Sequence, residues 1–212
     1  MKNVLFLGAL CTITCLSLLT SCGNDDDNIQ PQQATDFMPL EVGAFWVYEF
    51  SVNNQDQPSI DTITVVDSYP DGEDTVFELS STNSFMQMVF FPERLRLSDG
   101  DLYADTEDNN FLYLTADLAV TATDLYTKEV HPDLGSIIYR YQPVLQAVET
   151  PAGNFDCINI EGEVVALDTT EPIHGLRIDN FFARDVGLVN AKTYFWSNAA
   201  PVEIELLDFQ LP

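Results

Sequence analysis

Short segments in which apolar and polar residues alternate dominate the chain from Phe37 onward. These segments are rich in Val, Ile, Thr, Tyr and Phe and are separated by Gly, Pro, Asn and Asp. That pattern is typical of an all-β domain, mainly antiparallel. The predicted strands are 44–52, 60–66, 75–79, 85–91, 94–97, 102–104, 111–114, 137–149, 155–167, 176–183, 188–196 and 202–206.

Two of the loops between these strands predict hairpins. Thr150-Pro151-Ala152-Gly153-Asn154 joins 137–149 to 155–167, and Arg184-Asp185-Val186-Gly187 joins 176–183 to 188–196. Segment 116–130 fits two structures, because its leucines and alanine share a helical face while its threonines favour extended backbone. We predict a short helix or a loop there.

The first strand is apolar on both faces, which bears on the architecture. Trp46, Tyr48 and Phe50 form one stripe, and Phe45 and Val47 lie on the opposite face. Either a second layer packs on the sheet, as in a β-sandwich, or the sheet curls into a half-barrel around an apolar cavity. In 155–167 the isoleucines alternate with Asn159 and Glu161, so one face is predicted to be buried and the other wet.

Residues 1–21 differ from the rest of the chain. They contain one charge, Lys2, followed by an apolar run that is shorter than the about 20 residues of a bilayer span. The run ends in Leu19-Thr20-Ser21-Cys22, which resembles the lipobox of bacterial lipoproteins. The resemblance implies cleavage between Ser21 and Cys22 and attachment of a lipid to the Cys22 thiol. The alternatives are an uncleaved membrane anchor and an ordinary signal peptide.

Residues 22–36 are polar and predict a lipidated, flexible acidic tether. Their run Gly23-Asn24-Asp25-Asp26-Asp27-Asn28 resembles the acidic signal that follows the lipidated cysteine in surface-exposed lipoproteins of the Bacteroidota. A solvated acidic linker is the plain alternative. The predicted location is the outer membrane, lipid-anchored and exposed at the cell surface.

Composition sets the limits for the remaining residues, 37–212, which we predict to be one β-rich domain. The chain has 46% hydrophobic and 11% aromatic residues, enough for a core, and a net charge of −26. Such a surface repels phosphate, so nucleic acid is excluded as a partner. Cys157 is the one cysteine of this domain, so we expect no internal disulfide and a small, buried thiol.

No sequence motif indicates catalysis. His131 and His174 lie in turn-like contexts, and no nucleophile elbow, zinc-hydrolase, Walker or dinucleotide motif is present. Paired carboxylates for glycoside hydrolysis cannot be singled out among 34 acidic residues. We therefore expect a protein that is not an enzyme, with a glycan-active enzyme as the alternative.

Two further sets of residues are candidates for binding. Asp99, Asp101 and Asp105, with Glu107 and Asp108, gather oxygen ligands around a glycine, as calcium requires, although the spacing is not that of an EF-hand. An exposed acidic hairpin is the alternative. Tyr103 and Tyr113 are candidates for an exposed aromatic patch that contacts a polysaccharide or a partner protein.

Three segments occur in an order that resembles a known group of proteins. They are Gly43-Ala44-Phe45-Trp46-Val47-Tyr48, Glu149-Thr150-Pro151-Ala152-Gly153-Asn154-Phe155-Asp156-Cys157 and Ala183-Arg184-Asp185-Val186-Gly187-Leu188-Val189. The set resembles small, mostly uncharacterised envelope lipoproteins of Bacteroidota, which are similar to half-barrel carriers of the LolA kind. The resemblance implies an antiparallel sheet curled around an apolar space, and it brings no catalytic residues.

The sequence thus predicts a non-catalytic binding or assembly module held at the outer membrane by its lipid. Its expected ligand is apolar. The alternative is an accessory protein that binds a glycan or an envelope protein at the cell surface.

Overall fold

The computed structural model describes residues 33–53, 57–106, 111–115, 124–131 and 133–212. Within them a short 3-10 helix (Ala34–Asp36) precedes the strands, and one α-helix, α1 (Ser84–Val89), lies between the third and fourth strands. The strands are β1 (Phe45–Val52), β2 (Ser59–Asp71), β3 (Asp74–Ser81), β4 (Arg94–Ser98), β5 (Asp101–Ala104), β6 (Phe111–Leu114), β7 (Asp124–His131), β8 (Gly135–Thr150), β9 (Gly153–Ala166), β10 (Arg177–Ala183), β11 (Gly187–Tyr194) and β12 (Pro201–Gln210).

All twelve strands of the described residues belong to one antiparallel sheet, which curls into a nearly closed barrel. The predicted all-β class is therefore confirmed, and the sheet is curled rather than split into the two layers of a sandwich. Its order is β6-β5-β4-β3-β2-β1-β12-β11-β10-β9-β8-β7, so the first and last strands, β1 and β12, pair at its centre. Strands β6 and β7 are neighbours in the chain but lie at opposite edges of the sheet. The barrel therefore has a seam between β6 and β7.

The alternation of β1 is what directs its large aromatic side chains into the barrel. Trp46 and Tyr48 are fully buried, whereas Phe45 and Val47 on the other face are half-buried. The Trp46 indole Nε1 donates to the Val186 carbonyl over 2.5 Å, and the Tyr48 hydroxyl donates to the Leu188 carbonyl over 2.7 Å. Because their polar tips are hydrogen-bonded, both side chains can be buried without an unpaired donor.

The segment before β1 packs against one end of the barrel. Its side chains Ala34, Phe37, Met38 and Leu40 are buried in the main core. The Ala34 amide donates to the carbonyl of Gly100 in the β4–β5 turn. The last residues of the predicted tether, Ala34–Asp36, thus form the 3-10 helix.

Two local predictions are wrong. The predicted strand 85–91 contains α1, because the Asn83 side chain caps the helix by accepting from the Phe85 amide over 3.1 Å, and Met86 and Phe91 pack into the core. Segment 116–130 was predicted to be a short helix or a loop, but its residues 124–130 belong to β7, whose backbone pairs with β8. Residues 116–123 lie outside the described residues.

The predicted hairpins β8–β9 and β10–β11 are confirmed, but the prediction of a wet face on β9 is wrong. Asn159 and Glu161 are buried although they alternate with isoleucines. The Asn159 amide donates to Asp179 over 2.8 Å, and Glu161 is ion-paired with Arg177. Polar side chains of neighbouring strands therefore cover one another on this face.

The buried apolar residues form two clusters. The large one fills the barrel, and a small one comprises Ile137, Val164, Ala166, Ile173 and Ile178. No helix among the described residues has both the length and the apolar character that a transmembrane span requires.

Candidate functional site

A cavity of about 240 Å³, partly open to solvent, lies next to α1 and the seam between β6 and β7. Its lining residues come from both apolar clusters, so the cavity occupies the space between them. An engineered cavity of about 150 Å³ is large enough to bind benzene, and this one is larger. The barrel therefore has room for a small molecule.

Two thirds of the described lining residues are apolar or aromatic, although polar and apolar atoms contribute about equally to the surface of the cavity. The apolar and aromatic residues are Val89, Phe90, Phe91, Pro92, Phe111, Tyr113, Tyr139, Ile160, Ile178 and Phe182. Strand β10 contributes every second residue, Ile178, Asn180 and Phe182, because alternate side chains of a strand share a face. The Tyr113 ring meets the Phe182 ring edge-on, with centroids 6.2 Å apart. This contact joins β6 to β10 across the interior.

The polar lining residues are Gln87, Thr106, Lys128, Asn180 and Thr193. Some of these groups are engaged by the protein itself. The Gln87 side chain donates to the Leu79 carbonyl over 2.7 Å, and the Asn180 side chain donates to the Ile160 carbonyl over 3.1 Å. The Tyr113 hydroxyl donates to the Phe90 carbonyl over 3.2 Å. These hydrogen bonds fix the lining of the cavity, which is the general property of a preformed ligand site.

Three of the lining residues are titratable, and burial disfavours the charged form of each. Burial raises the pKa of Tyr139 to about 12 and raises the pKa of Tyr113 above its usual value. Burial lowers the pKa of the Lys128 ammonium. The described lining contains no carboxylate, imidazole or thiol. Lys128 is thus the sole cationic residue of the described lining.

The sequence pattern indicated an apolar cavity as one of two alternatives, but of the residues that line it only Tyr113 was among the predicted binding residues. Lys128 falls in the segment that was predicted to be a helix or loop, so its face could not be assigned. The alternation of Ile178, Asn180 and Phe182 was a usable signal, since it places an amide between two apolar residues on one face of a predicted strand.

Two of the carboxylates predicted to bind calcium, Asp101 and Asp105, have separate partners. Asp99 lies in the β4–β5 turn with a positive φ of 51°. Asp101 accepts from the Thr115 hydroxyl over 3.0 Å, and Asp105 is ion-paired with Arg96 over 3.3 Å. No group of three or more His, Cys, Asp or Glu side chains that could hold a metal ion occurs in the part of the chain that the structure describes. Residues 107–110, which include two of the predicted ligands, lie outside that part.

The other predicted site residues are distributed as follows. The predicted place of Tyr113 in an exposed patch is wrong, because β6 turns this side chain towards the core, where it lines the cavity. Tyr103 is half-buried. Cys157 is buried as predicted, and burial raises the pKa of its thiol to about 12. Ser21, Cys22 and the side chain of His131 lie outside the described residues.

The first and third segments of the family resemblance contact each other and the segment before β1. Trp46 of the first segment donates to Val186 of the third. In the third segment the Asp185 amide donates to the Asp36 carbonyl over 2.7 Å, and Arg184 is ion-paired with the Asp36 side chain over 3.1 Å. Asp185 and Arg184 thus hold the β10–β11 turn to the segment before β1.

No family model and no curated protein sequence matches the chain. Three solved structures have a similar fold. A candidate lipoprotein from Parabacteroides distasonis is 15% identical, with a TM-score of 0.47 over 84% of this chain and 100% of that chain. A candidate exported protein with a YmcC-like fold from Bacteroides fragilis is 11% identical, with a TM-score of 0.43 over 81% of this chain and 97% of that chain. The hypothetical lipoprotein YmcC from Escherichia coli is 15% identical, with a TM-score of 0.39 over 88% of this chain and 92% of that chain. None of the three is described as a LolA-type carrier, and the family of this chain stays a prediction.

Proposed function

We propose that the barrel is a non-catalytic binding module for a small apolar ligand, held at the outer membrane by a lipid on Cys22 and exposed at the cell surface. The observation that supports binding is the cavity of about 240 Å³ with its aromatic lining. A cavity in a packed core forfeits van der Waals contacts and so costs stability, and an apolar ligand would restore those contacts.

The described lining also supports a role without catalysis. Nucleophilic sites place a nucleophile such as Ser, Cys, Thr or Lys within hydrogen-bond reach of a base such as His, Asp or Glu. The described residues around the cavity are instead apolar, aromatic or amide and hydroxyl groups together with one lysine. This set suits binding by burial of apolar surface.

Binding is tested with N-phenylnaphthylamine, an uncharged dye that fluoresces in apolar surroundings. We expect saturable fluorescence with the wild-type protein. Val89, the last residue of α1, lines the cavity and is half-buried, so Val89→Phe should fill part of the space and weaken dye affinity about tenfold or more. Val42→Phe is the matched control, because Val42 is 52% exposed and does not line the cavity.

Dye binding by the wild type and the two variants can either support or refute the proposed binding site. Loss of binding in Val89→Phe with retention in Val42→Phe, at similar melting temperatures, supports an internal site. Absence of saturable binding to the wild type, or equal weakening by both substitutions, would refute it. Solvent extraction of protein isolated from its own bacterium, followed by mass spectrometry, should identify the natural ligand.

The anchor is tested separately. Cys22→Ser removes the thiol that the lipobox resemblance assigns to the lipid, so we expect the protein to leave the membrane fraction. Protease treatment of intact cells should degrade the wild-type protein if it is displayed at the surface. A Cys22→Ser protein that is processed normally and stays with the membrane would contradict the anchor.

A further inference from the structure

Lys128 occupies an unusual position for a charged residue. It lies on β7 at the seam of the barrel, lines the cavity and is partly buried. Its Nζ atom lies 3.8 Å from the centre of the Phe111 ring on β6, so it contacts the opposite edge of the sheet. A cation over an aromatic ring gains electrostatic attraction, but the ring does not neutralise its charge.

The remaining cations of the described chain are paired with acids. Each of the other described lysines and arginines has a carboxylate within ion-pair distance: Arg94, Arg96, Arg140, Arg177, Arg184 and Lys192. Lys128 has no such partner among the described residues, and burial alone lowers its pKa. This is notable in a chain with 34 acidic residues and 8 basic ones. Among the described residues, the one lysine or arginine that lines the cavity is therefore also the one without a counter-charge.

Burial of an ammonium group without a counter-charge is costly. A ligand that supplies a negative charge at this point would remove that cost and would form a charge-assisted hydrogen bond. The apolar lining next to Lys128, which includes Phe90, Phe182 and Ile178, would accept the rest of the same molecule. The apolar lining and the ammonium group of Lys128 together favour a ligand that has both an apolar part and an anionic group.

We infer that the ligand is a carboxylic amphiphile, with its carboxylate on the Lys128 ammonium and its apolar tail among the aromatic side chains of the cavity. This inference rests on the proposed binding function and adds the chemistry of the head group. A single lysine supplies one positive charge, which matches a monoanion. Tyr113 and Tyr139, the other titratable residues of the described lining, are neutral at physiological pH because burial raises the pKa of both.

The test compares probes that share a tail and differ in the head group. Octanoate, octanol and octylammonium compete with N-phenylnaphthylamine for the wild-type protein at fixed ionic strength. The net charge of −26 repels anions in general, so a preference for octanoate must arise locally. We expect octanoate to displace the dye at concentrations about ten- to a hundredfold lower than octanol, the usual effect of a hydrogen bond to a charged group. Octylammonium should be the weakest competitor.

Variants assign the preference to one residue. Lys128→Met keeps the unbranched apolar stem and removes the charge, so octanoate and octanol should become equally effective while dye binding remains. Lys128→Arg should retain the preference. Lys192→Met is the matched control, because Lys192 lies on β11, does not line the cavity and is ion-paired with Glu203 over 2.6 Å. This variant should behave as the wild type.

The outcomes separate this inference from the function on which it rests. Saturable dye binding with equal displacement by octanoate and octanol would overturn the head-group assignment and leave the apolar site intact. An octanoate preference that survives in Lys128→Met would also overturn it. Failure of the wild type to bind the dye at all would refute the proposed function itself. The comparison of probes on the wild type decides the matter even if Lys128→Met does not fold.

Discussion

A buried carboxylate, Asp61, holds the helix that covers the cavity, and its removal is a direct test of the structure. Asp61 lies on β2 in phase with Ile63 and Val65 and is fully buried. One carboxylate oxygen accepts from the Ser81 hydroxyl over 2.5 Å, and the other accepts from the Thr82 hydroxyl over 2.7 Å and from the Asn83 amide over 2.8 Å. The residues so bound lead directly into α1.

The hydrogen bonds set the expected magnitude. Asp61→Ala removes the acceptor of three donors, each bond to a charged group being worth about 1.5–3 kcal/mol. The two hydroxyls retain other contacts, since Ser81 also contacts the Asn83 carbonyl and Thr82 accepts from the Thr62 amide. We therefore expect a loss of about 3–4 kcal/mol in the free energy of unfolding, or roughly 10 °C in melting temperature.

The conservative variant Asp61→Asn should be much less damaging. Its oxygen still accepts from Thr82 and Asn83, and its amide donates to the Ser81 hydroxyl, which then donates to the Asn83 carbonyl. Only the charge is lost, so we expect a decrease of about 1 kcal/mol. Asp67→Ala is the matched control, because this exposed aspartate of the same strand accepts from the adjacent Ser68 amide.

Urea unfolding followed by tryptophan fluorescence measures these differences, and dye affinity well below the melting temperature reports on the cavity. Asp61→Ala should weaken dye binding, because Asn83 caps α1 and the end of α1 lines the cavity. The reasoning would be refuted if Asp61→Ala were as stable as Asp67→Ala, or if Asp61→Asn were as damaging as Asp61→Ala.

Three further substitutions test other parts of the barrel. Gly162→Ala would place a Cβ 2.9 Å from the Ile137 side chain and 3.0 Å from that of Tyr139, so we expect a loss of about 1–3 kcal/mol in urea unfolding, and wild-type stability would contradict this packing. Gly187→Ala combines a φ of +114° with a Cβ 3.0 Å from the Trp46 indole nitrogen, and should cost about 1–3 kcal/mol and alter tryptophan fluorescence; an unchanged spectrum would argue against the contact. Burial raises the pKa of Tyr139 from 10.0 to about 12. The protonated Tyr139 hydroxyl therefore contributes about 2–3 kcal/mol to the free energy of unfolding below pH 10.0, and this contribution is lost as the pH rises through the pKa of the folded state. Urea titrations across this range should show a shallower alkaline decline for the Tyr139→Phe protein, and an identical decline would show that this hydroxyl does not contribute.

The alternation of residues explains why most strands could be predicted. In β1 the period of two separates Trp46, Tyr48 and Phe50 from the other face, and the structure buries these three side chains. The hairpin β10–β11 was likewise visible, because Arg184-Asp185-Val186-Gly187 supplies the turn and Gly187 takes the positive φ that the turn requires. Strand alternation and turn residues can be predicted because each depends on a few residues that are adjacent in the sequence.

Segment 85–91 shows where local pattern is insufficient. Its apolar residues fit a strand, but the Asn83 cap and the contact of Met86 and Phe91 with the core make it α1. The capping residue is itself held by Asp61, which is distant in sequence. Tertiary contacts therefore override the β propensity of this segment.

The sequence by itself determined the all-β class, the positions of most strands and the main hairpins, and it predicted a lipid-anchored export route through Cys22. The curl of the sheet, the seam, the cavity and the position of Lys128 were decided by the tertiary structure alone. The physical reason is that a strand repeats every two residues, whereas a cavity is formed by side chains from strands that meet only after the sheet has curled. Lys128 on β7 contacts Phe111 on β6 because the two edges of a twelve-stranded sheet approach each other.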